Sequence, residues 1–310
     1  MKKAVLRRGM CVKASGTPSA PPSTPKPRKF YVRPDQTGKV LGAALGTLLR
    51  LGTGALVDGY RVSFVKEPST EEKTYSVARV AGYRVQEETK KGTWARPEQP
   101  LEFWEFESCP FCRKAREAVT LLDLDAIYYP VTDRSGTPET FRTMAKKIAD
   151  EAGLQGRPRF PMMRDPNTGK VMYESDDIIQ YLYEKYGGGS TPPLMLRMGF
   201  FTALTCGLAS LAQGGAGGSY KPAKKAEQNL VLWSYEGSPF CKIVRAKLNE
   251  LAIPHLIKSV PRGSAKRQQL YDLTGTFQAP YLEDPNTGVK MYESAEIVDY
   301  LQKEYALANV

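Results

Sequence analysis

A chain of 310 residues with 41% hydrophobic and 25% charged side chains has room for two ordinary domains and is not a wholly disordered protein. Its formal charge of +11 is concentrated: nine basic and no acidic residues fall within 1–34, leaving +2 for residues 35–310. A near-neutral body removes nucleic acid as an expected partner, and five cysteines with one histidine exclude both a dense disulfide framework and a structural zinc site, so no metal is expected.

In chain order, residues 1–34 are basic, acid-free and rich in Ser, Thr and Pro, without the apolar run of a secretory signal. They read as a transit peptide for the chloroplast (stroma or thylakoid surface), with Cys11 lost on processing near Val12-Lys13-Ala14. Residues 35–98 form an extension with an apolar run at 40–57, interrupted by Arg50, and alternation at Tyr60–Val65 that carries no identifiable chemistry.

Residues 99–187 alternate strand and helix. Leu101–Phe106 is strand-like, Phe111–Leu122 helical, Ala126–Val131 a strand and Glu139–Ala152 a helix. Phe160–Met163 and Val171–Tyr173 flank Asp165-Pro166-Asn167-Thr168-Gly169, whose proline and glycine suit a hairpin turn. A last helix opens at Ser175 and repeats Ile178, Ile179, Leu182 and Tyr186 on one face. Residues 188–229 are a linker with a second apolar run at 194–212, holding Arg197, and a Gly-rich stretch at 214–219. Two apolar runs of this marginal length admit helices packed on the fold, helices on a membrane surface, or a spanning pair; packed or peripheral helices are expected, because a central charge disfavours spanning.

Residues 230–310 repeat the pattern. LEFWEFESCPF at 101–111 returns as LVLWSYEGSPF at 230–240, and DPNTGKVMYES at 165–175 returns as DPNTGVKMYES at 284–294. Cys109 to Pro161 spans 52 positions and Ser238 to Pro280 spans 42, so the first copy holds ten extra residues in a loop or a longer helix.

Cys109-Pro110-Phe111-Cys112 sits between a strand and a helix, where free N–H groups and the helix dipole favour a thiolate at Cys109. Arg113, Lys114 and Arg116 are expected to add positive potential, and Cys112 can resolve a mixed disulfide formed on Cys109. The second copy reads Ser238-Pro239-Phe240-Cys241: a serine at the attacking position forms no disulfide, and Cys241 is expected to be packing. His255, in an apolar run, is expected to be a core or edge residue rather than a base.

The Cys-Pro-Phe-Cys junction resembles the glutaredoxin motif, and Tyr173-Glu174-Ser175 resembles the Glu-Ser motif of glutathione-transferase N-terminal domains. From residue 40 onward the chain is similar to a plant and algal chloroplast family of tandem proteins of that kind. The resemblance implies an α/β fold of two tandem thioredoxin-like domains joined by a partly helical apolar linker. It also implies glutathione as ligand or co-substrate. Phe160-Pro161 and Ala279-Pro280 match the cis-proline position beside the cysteinyl part of glutathione, and Glu174-Ser175 and Glu293-Ser294 match the grip on its γ-glutamyl end. The Ser238 hydroxyl is a further glutathione contact.

Three functions follow. One is a thiol–disulfide oxidoreductase acting on an unknown protein disulfide. The second is a noncatalytic binding or assembly protein, with possible peripheral contact to a thylakoid or envelope membrane. The third is a conjugating transferase, for which residues 188–229 are too few to build a helical acceptor domain.

Overall fold

The computed structural model describes residues 27–28, 31–67, 74–90, 94–133 and 140–307. The leader up to residue 26, with Cys11 and the processing site, lies outside the described residues, as do 134–139.

In the first copy, β4 (Leu101–Glu105), β5 (Ala126–Pro130), β6 (Met162–Asp165) and β7 (Lys170–Met172) alternate with α2 (Pro110–Leu121), α3 (Phe141–Glu151) and α4 (Ser175–Tyr186). The second copy repeats this with β8 (Leu230–Ser234), β9 (His255–Ser259), β10 (Tyr281–Asp284) and β11 (Val289–Tyr292), and with α7 (Pro239–Glu250), α8 (Lys266–Thr274) and α9 (Ser294–Tyr305). β4 is buried along its whole length because helices cover both faces: Leu101 and Phe103 pack with residues of α2 and α4, and Trp104 with residues of α3. The ten extra residues of the first copy divide between α3 and the loops on either side of it.

The repeated DPNTG block is a clamp. Asp165 is fully buried; its Oδ2 accepts from the Tyr181 hydroxyl at 2.6 Å and the Tyr186 hydroxyl at 2.7 Å, while its Oδ1 accepts from the Asn167 backbone N–H at 2.9 Å. Asp284 repeats the arrangement with Tyr300 at 2.7 Å and Tyr305 at 2.6 Å. These hydrogen bonds tie the β6–β7 and β10–β11 hairpins to the last helix of each copy.

The two copies share one eight-stranded sheet in the order β11-β10-β8-β9-β5-β4-β6-β7. β5 and β9 pair antiparallel, with Ile127 opposite Leu256. Those two residues occupy the same place in the repeat, so the centre of the sheet is a pseudo-twofold axis. His255 lies on this join, fully buried and stacked on Tyr128 at 5.8 Å between ring centroids. Burial lowers its pKa to about 4, which makes it a neutral core group and no base at neutral pH.

Beside the sheet, α2 and α7 bring charges together across the same axis. Arg116 Nε donates to Glu236 at 2.9 Å, and the equivalent Arg245 Nε donates to Glu107 at 3.1 Å. Within each copy, Arg245 lies 2.8 Å from Glu236 and Arg116 lies 3.4 Å from Glu107. All four side chains are buried. Burial pushes the neighbouring Glu105 up to about 7 although Arg116 opposes it, whereas Arg116 and Arg245 hold Glu236 far below the usual carboxylate range.

The extension is built into this interface. α1 (Thr37–Leu49) packs against α6 (Phe200–Leu211) and α7, and α6 packs against α2; the short α5 (Leu194–Arg197) precedes α6. α1 ends at Leu49, and Arg50 after it turns inward within the apolar run, with Nη2 2.6 Å from Glu117 and Nη1 donating to Thr205 at 2.6 Å. β1 (Tyr60–Lys66), β2 (Arg79–Val80) and β3 (Tyr83–Thr89) form a separate antiparallel sheet, anchored where Glu87 accepts from Arg262 at 2.7 Å. Among the described residues no helix is long and apolar enough to cross a membrane.

Glu236→Gln removes a carboxylate that Arg116 and Arg245 share in a buried site, leaving Glu105 and Glu107 to face Arg116 and Glu107 alone to face Arg245. The unfolding free energy should fall by about 3–5 kcal/mol, measured by urea denaturation, against less than about 1 kcal/mol for exposed Lys146→Gln.

Candidate functional site

Cys109 is the N-cap of α2, with φ −75° and ψ 124°, and its Sγ accepts the Cys112 backbone N–H at 3.3 Å. Pro110 at the first helical position sets the turn, since its missing N–H is one the helix leaves unbonded in any case. Both thiols are reduced; Cys109 is 4% and Cys112 1% exposed. Hydrogen bonding from Cys112 lowers the Cys109 pKa below the ordinary thiol value, helped by the backbone N–H groups of Cys112 and Phe111 and opposed by burial and Glu105. Cys112 moves the other way, pushed well above the ordinary value first by burial and then by its hydrogen bond to Cys109. The pair is therefore split into one activated and one suppressed thiol.

The expected role of the cations after the motif is corrected by the structure. Arg113 is buried against Glu117 at 3.1 Å and Glu236 at 3.8 Å, Arg116 is taken up by Glu105, Glu107 and Glu236, and Lys114 pairs with Asp176. Their charge is neutralised within the fold, and the N–H groups at the start of α2 stabilise the thiolate instead.

The remaining first-copy residues converge on the same end of the sheet. The Lys114–Asp176 pair joins α2 to the first turn of α4, directly after Glu174 and Ser175. Phe160-Pro161 is a cis peptide bond, and the preceding Arg159 reaches Glu174 Oε1 at 2.6 Å. Arg142 of α3 lies over the Phe160 ring, 5.0 Å from its centroid. Ser175 is buried, whereas Glu174 is half-exposed at φ +64°. A non-glycine residue at positive φ costs about 1–3 kcal/mol and marks a site whose surroundings hold it there. The N-cap position of α4 is Glu174 and no side chain caps the helix, so capping accounts for neither Ser175 nor Glu174. The recurrence of both residues at Glu293 and Ser294 is the signal that the sequence carries.

The second copy reproduces the frame with different chemistry. Ser238 caps α7, its Oγ accepting the Cys241 N–H at 3.3 Å, and Cys241 is fully buried. Ala279-Pro280 is cis, and Glu293 stands at φ +73° ahead of the buried Ser294. Here, however, the chain fills its own cleft. The backbone N–H of Arg28 donates to Glu293 Oε1 at 2.7 Å, and Arg28 Nη2 lies 2.8 Å from Glu296. Tyr31, Val32 and Arg33 then run past Ser294 and leave a gap of only about 10 Å³. Sequence reasoning treated these residues as leader and missed this contact. A cavity of about 710 Å³ lies elsewhere, lined by Trp94, Leu121 and Lys266 among others.

A family model described as "Glutathione S-transferase, N-terminal domain" matches residues 103–190 and again residues 232–309. A solved glutathione transferase from Bombyx mori, in complex with GTT, is 25% identical over 30% of this chain and 38% of that chain, with a TM-score of 0.23. The chain thus spans well under half of that transferase's length. No curated protein matches the chain.

Alkylation against pH should separate the two thiols. In the folded protein Cys109 should react with an apparent pKa below the free-thiol value of about 8.5, and Cys112 should stay unlabelled until denaturant is added. Peptide mapping of the labelled sites reads both outcomes.

Proposed function

Because the chain belongs to the family of glutathione S-transferase N-terminal domains and carries that domain twice, we propose that its first copy is a glutathione-linked thiol–disulfide oxidoreductase and its second a non-redox module. The observation that carries the reading is the split dithiol: a thiol lowered by the Cys112 side chain and by N–H groups at a helix start, beside one raised by burial.

In the reaction, the Cys109 thiolate attacks one sulfur of a substrate disulfide, and the departing sulfur leaves as a thiolate that takes up a proton. Where the substrate is a glutathionylated protein, the protein thiol leaves and Cys109 keeps glutathione as a mixed disulfide. Glu174 and Ser175 would hold the γ-glutamyl end, with Ser175 and the N-terminal amides of α4 on its carboxylate and Glu174 on its ammonium. The backbone at Phe160-Pro161 would meet the cysteinyl part. The thiolate of a second glutathione then attacks the bound glutathione sulfur, releasing oxidised glutathione and regenerating Cys109. Cys112 offers an alternative step: it loses its proton, attacks Cys109 and expels the bound thiol. Its raised pKa makes that route slower at neutral pH than attack by glutathione.

In the second copy Ala279, Pro280, Glu293 and Ser294 frame an equivalent cleft with Ser238 in place of the thiol. Arg28 already holds Glu293 and Tyr31–Arg33 line the gap, so glutathione enters there only after these residues withdraw. The same observation favours a second reading, in which both copies serve as a binding or assembly scaffold and Cys109 turns nothing over. The basic, acid-free leader supports work in the plastid, which the position of a C-terminal fluorescent fusion in plant cells would test.

Cys109→Ser should abolish glutathione-dependent reduction of a glutathionylated peptide, whereas Cys112→Ser should keep that activity and lose reduction of protein disulfides. Calorimetry should find a single glutathione per chain, weakened by Ser175→Ala and unaffected by Ser294→Ala. Glutathione turnover that survives Cys109→Ser, or a folded wild-type chain with no turnover, would sink the oxidoreductase and leave the scaffold.

A further inference from the structure

We propose that the outer face of α1 and α6 is a docking surface for an anionic lipid bilayer, on which the protein sits without crossing it. The two helices are built the reverse of an ordinary surface pair, which turns its large apolar side chains inward. Their buried sides carry Ala43 and Gly46 on α1, and Thr202, Cys206, Ala209 and Ser210 on α6. Small residues let the helices run antiparallel in close contact: a Cβ on Gly42 would stand 2.3 Å from the Ala212 carbonyl oxygen, and one on Gly46 would stand 2.9 Å from that of Ala209. The large apolar residues point outward. Leu41, Leu45 and Leu48 on α1 and Phe200, Leu204 and Leu211 on α6 are all exposed, Leu48 to 71% and Phe200 to 73%. A contiguous apolar face of this kind marks an interaction surface.

Charge and directionality select the occupant. Residues 36–57 and 187–226 contain no Asp or Glu. Lys39 and Arg197 are exposed at opposite ends of the face, since Lys39 lies near the start of α1 and Arg197 just before α6. Cations bordering an acid-free apolar face complement anionic headgroups over an acyl layer. A protein partner would be positioned by about one hydrogen bond per 100–200 Å², yet every exposed side chain of α6 is apolar. A lipid surface needs no such register. The helices have 13 and 12 residues, about 18–20 Å at 1.5 Å per residue, against a hydrocarbon core of about 30 Å, so they lie along the interface.

The test is co-flotation of the full chain with phosphatidylcholine vesicles, with and without phosphatidylglycerol. The parent should float with the anionic vesicles, and Leu48→Glu/Phe200→Glu should weaken that partition by at least about tenfold with its thermal midpoint and Cys109 alkylation rate unchanged. Lys39→Glu/Arg197→Glu should reduce the preference for phosphatidylglycerol. Equal flotation of parent and Leu48→Glu/Phe200→Glu would overturn the proposal and assign binding to the basic leader. No flotation of the parent would also overturn it. If the parent instead dimerised in sedimentation and Leu48→Glu/Phe200→Glu made it monomeric, the face would be an interface between two copies of the chain.

Discussion

Four buried charges, Arg116 and Glu107 from one copy and Arg245 and Glu236 from the other, hold the architecture in its arrangement. Each arginine bonds the carboxylate of the opposite copy and also faces that of its own, so the four groups form one set that spans the join. Burying such pairs returns roughly what their desolvation costs, and their contribution is therefore geometric more than energetic. Any shift of α2 against α7 would separate a guanidinium from its carboxylate. The join between β5 and β9 then has one register, with Ile127 opposite Leu256, and the pseudo-twofold axis passes through strands and charges alike.

That symmetric frame carries asymmetric chemistry. The N-cap geometry is the same in both copies, a side-chain acceptor bonded to an N–H three residues on at 3.3 Å. Sulfur at that position can enter a disulfide and oxygen cannot, so one atom separates the chemistry open to the two caps. The helix-side glutamates diverge as well: Glu174 meets an exposed arginine side chain, Arg159, whereas Glu293 meets the backbone N–H of Arg28. Glu105, whose counterpart in the repeat is Ser234, adds a buried carboxyl only beneath the dithiol, where it opposes ionisation of both cysteines. The first copy thus balances amide donors against a buried acid, and the second has neither the thiol nor that acid to balance.

The elements within each copy were legible because their signals are local. The Pro-Asn-Thr-Gly turns, Cys109 at a strand–helix junction and the apolar stripe of α4 all depend on residues a few positions apart, and the repeat shows each of them twice. What joins the copies was not legible. Arg113 and Arg116 read as positive potential beside the thiol, yet their partners Glu236 and Glu105 come from other elements of the fold. Arg28 shares the composition of the leader, and only its contact with Glu293 and Glu296 distinguishes it. Arg50 read as a charge interrupting an apolar run; in the fold it follows the last residue of α1 and pairs with Glu117 inside.

The same long-range pairing accounts for the inverted helices. A helix pair covering a charged interface cannot offer it leucines, since apolar contact would leave Arg50, Arg113 and Glu117 unsatisfied. α1, α5 and α6 instead supply small residues, carbonyl oxygens and hydroxyls: the Gly46 carbonyl of α1 accepts from Arg113 at 3.3 Å, and the Met195 carbonyl of α5 and the Thr205 hydroxyl of α6 accept from Arg50 at 2.9 and 2.6 Å. With polar and small groups required on the inner side, the large apolar residues of both segments can only be on the outer one. The apolar face is in that sense the other side of the charge network, and burying the charges between the copies is what leaves leucine and phenylalanine facing outward.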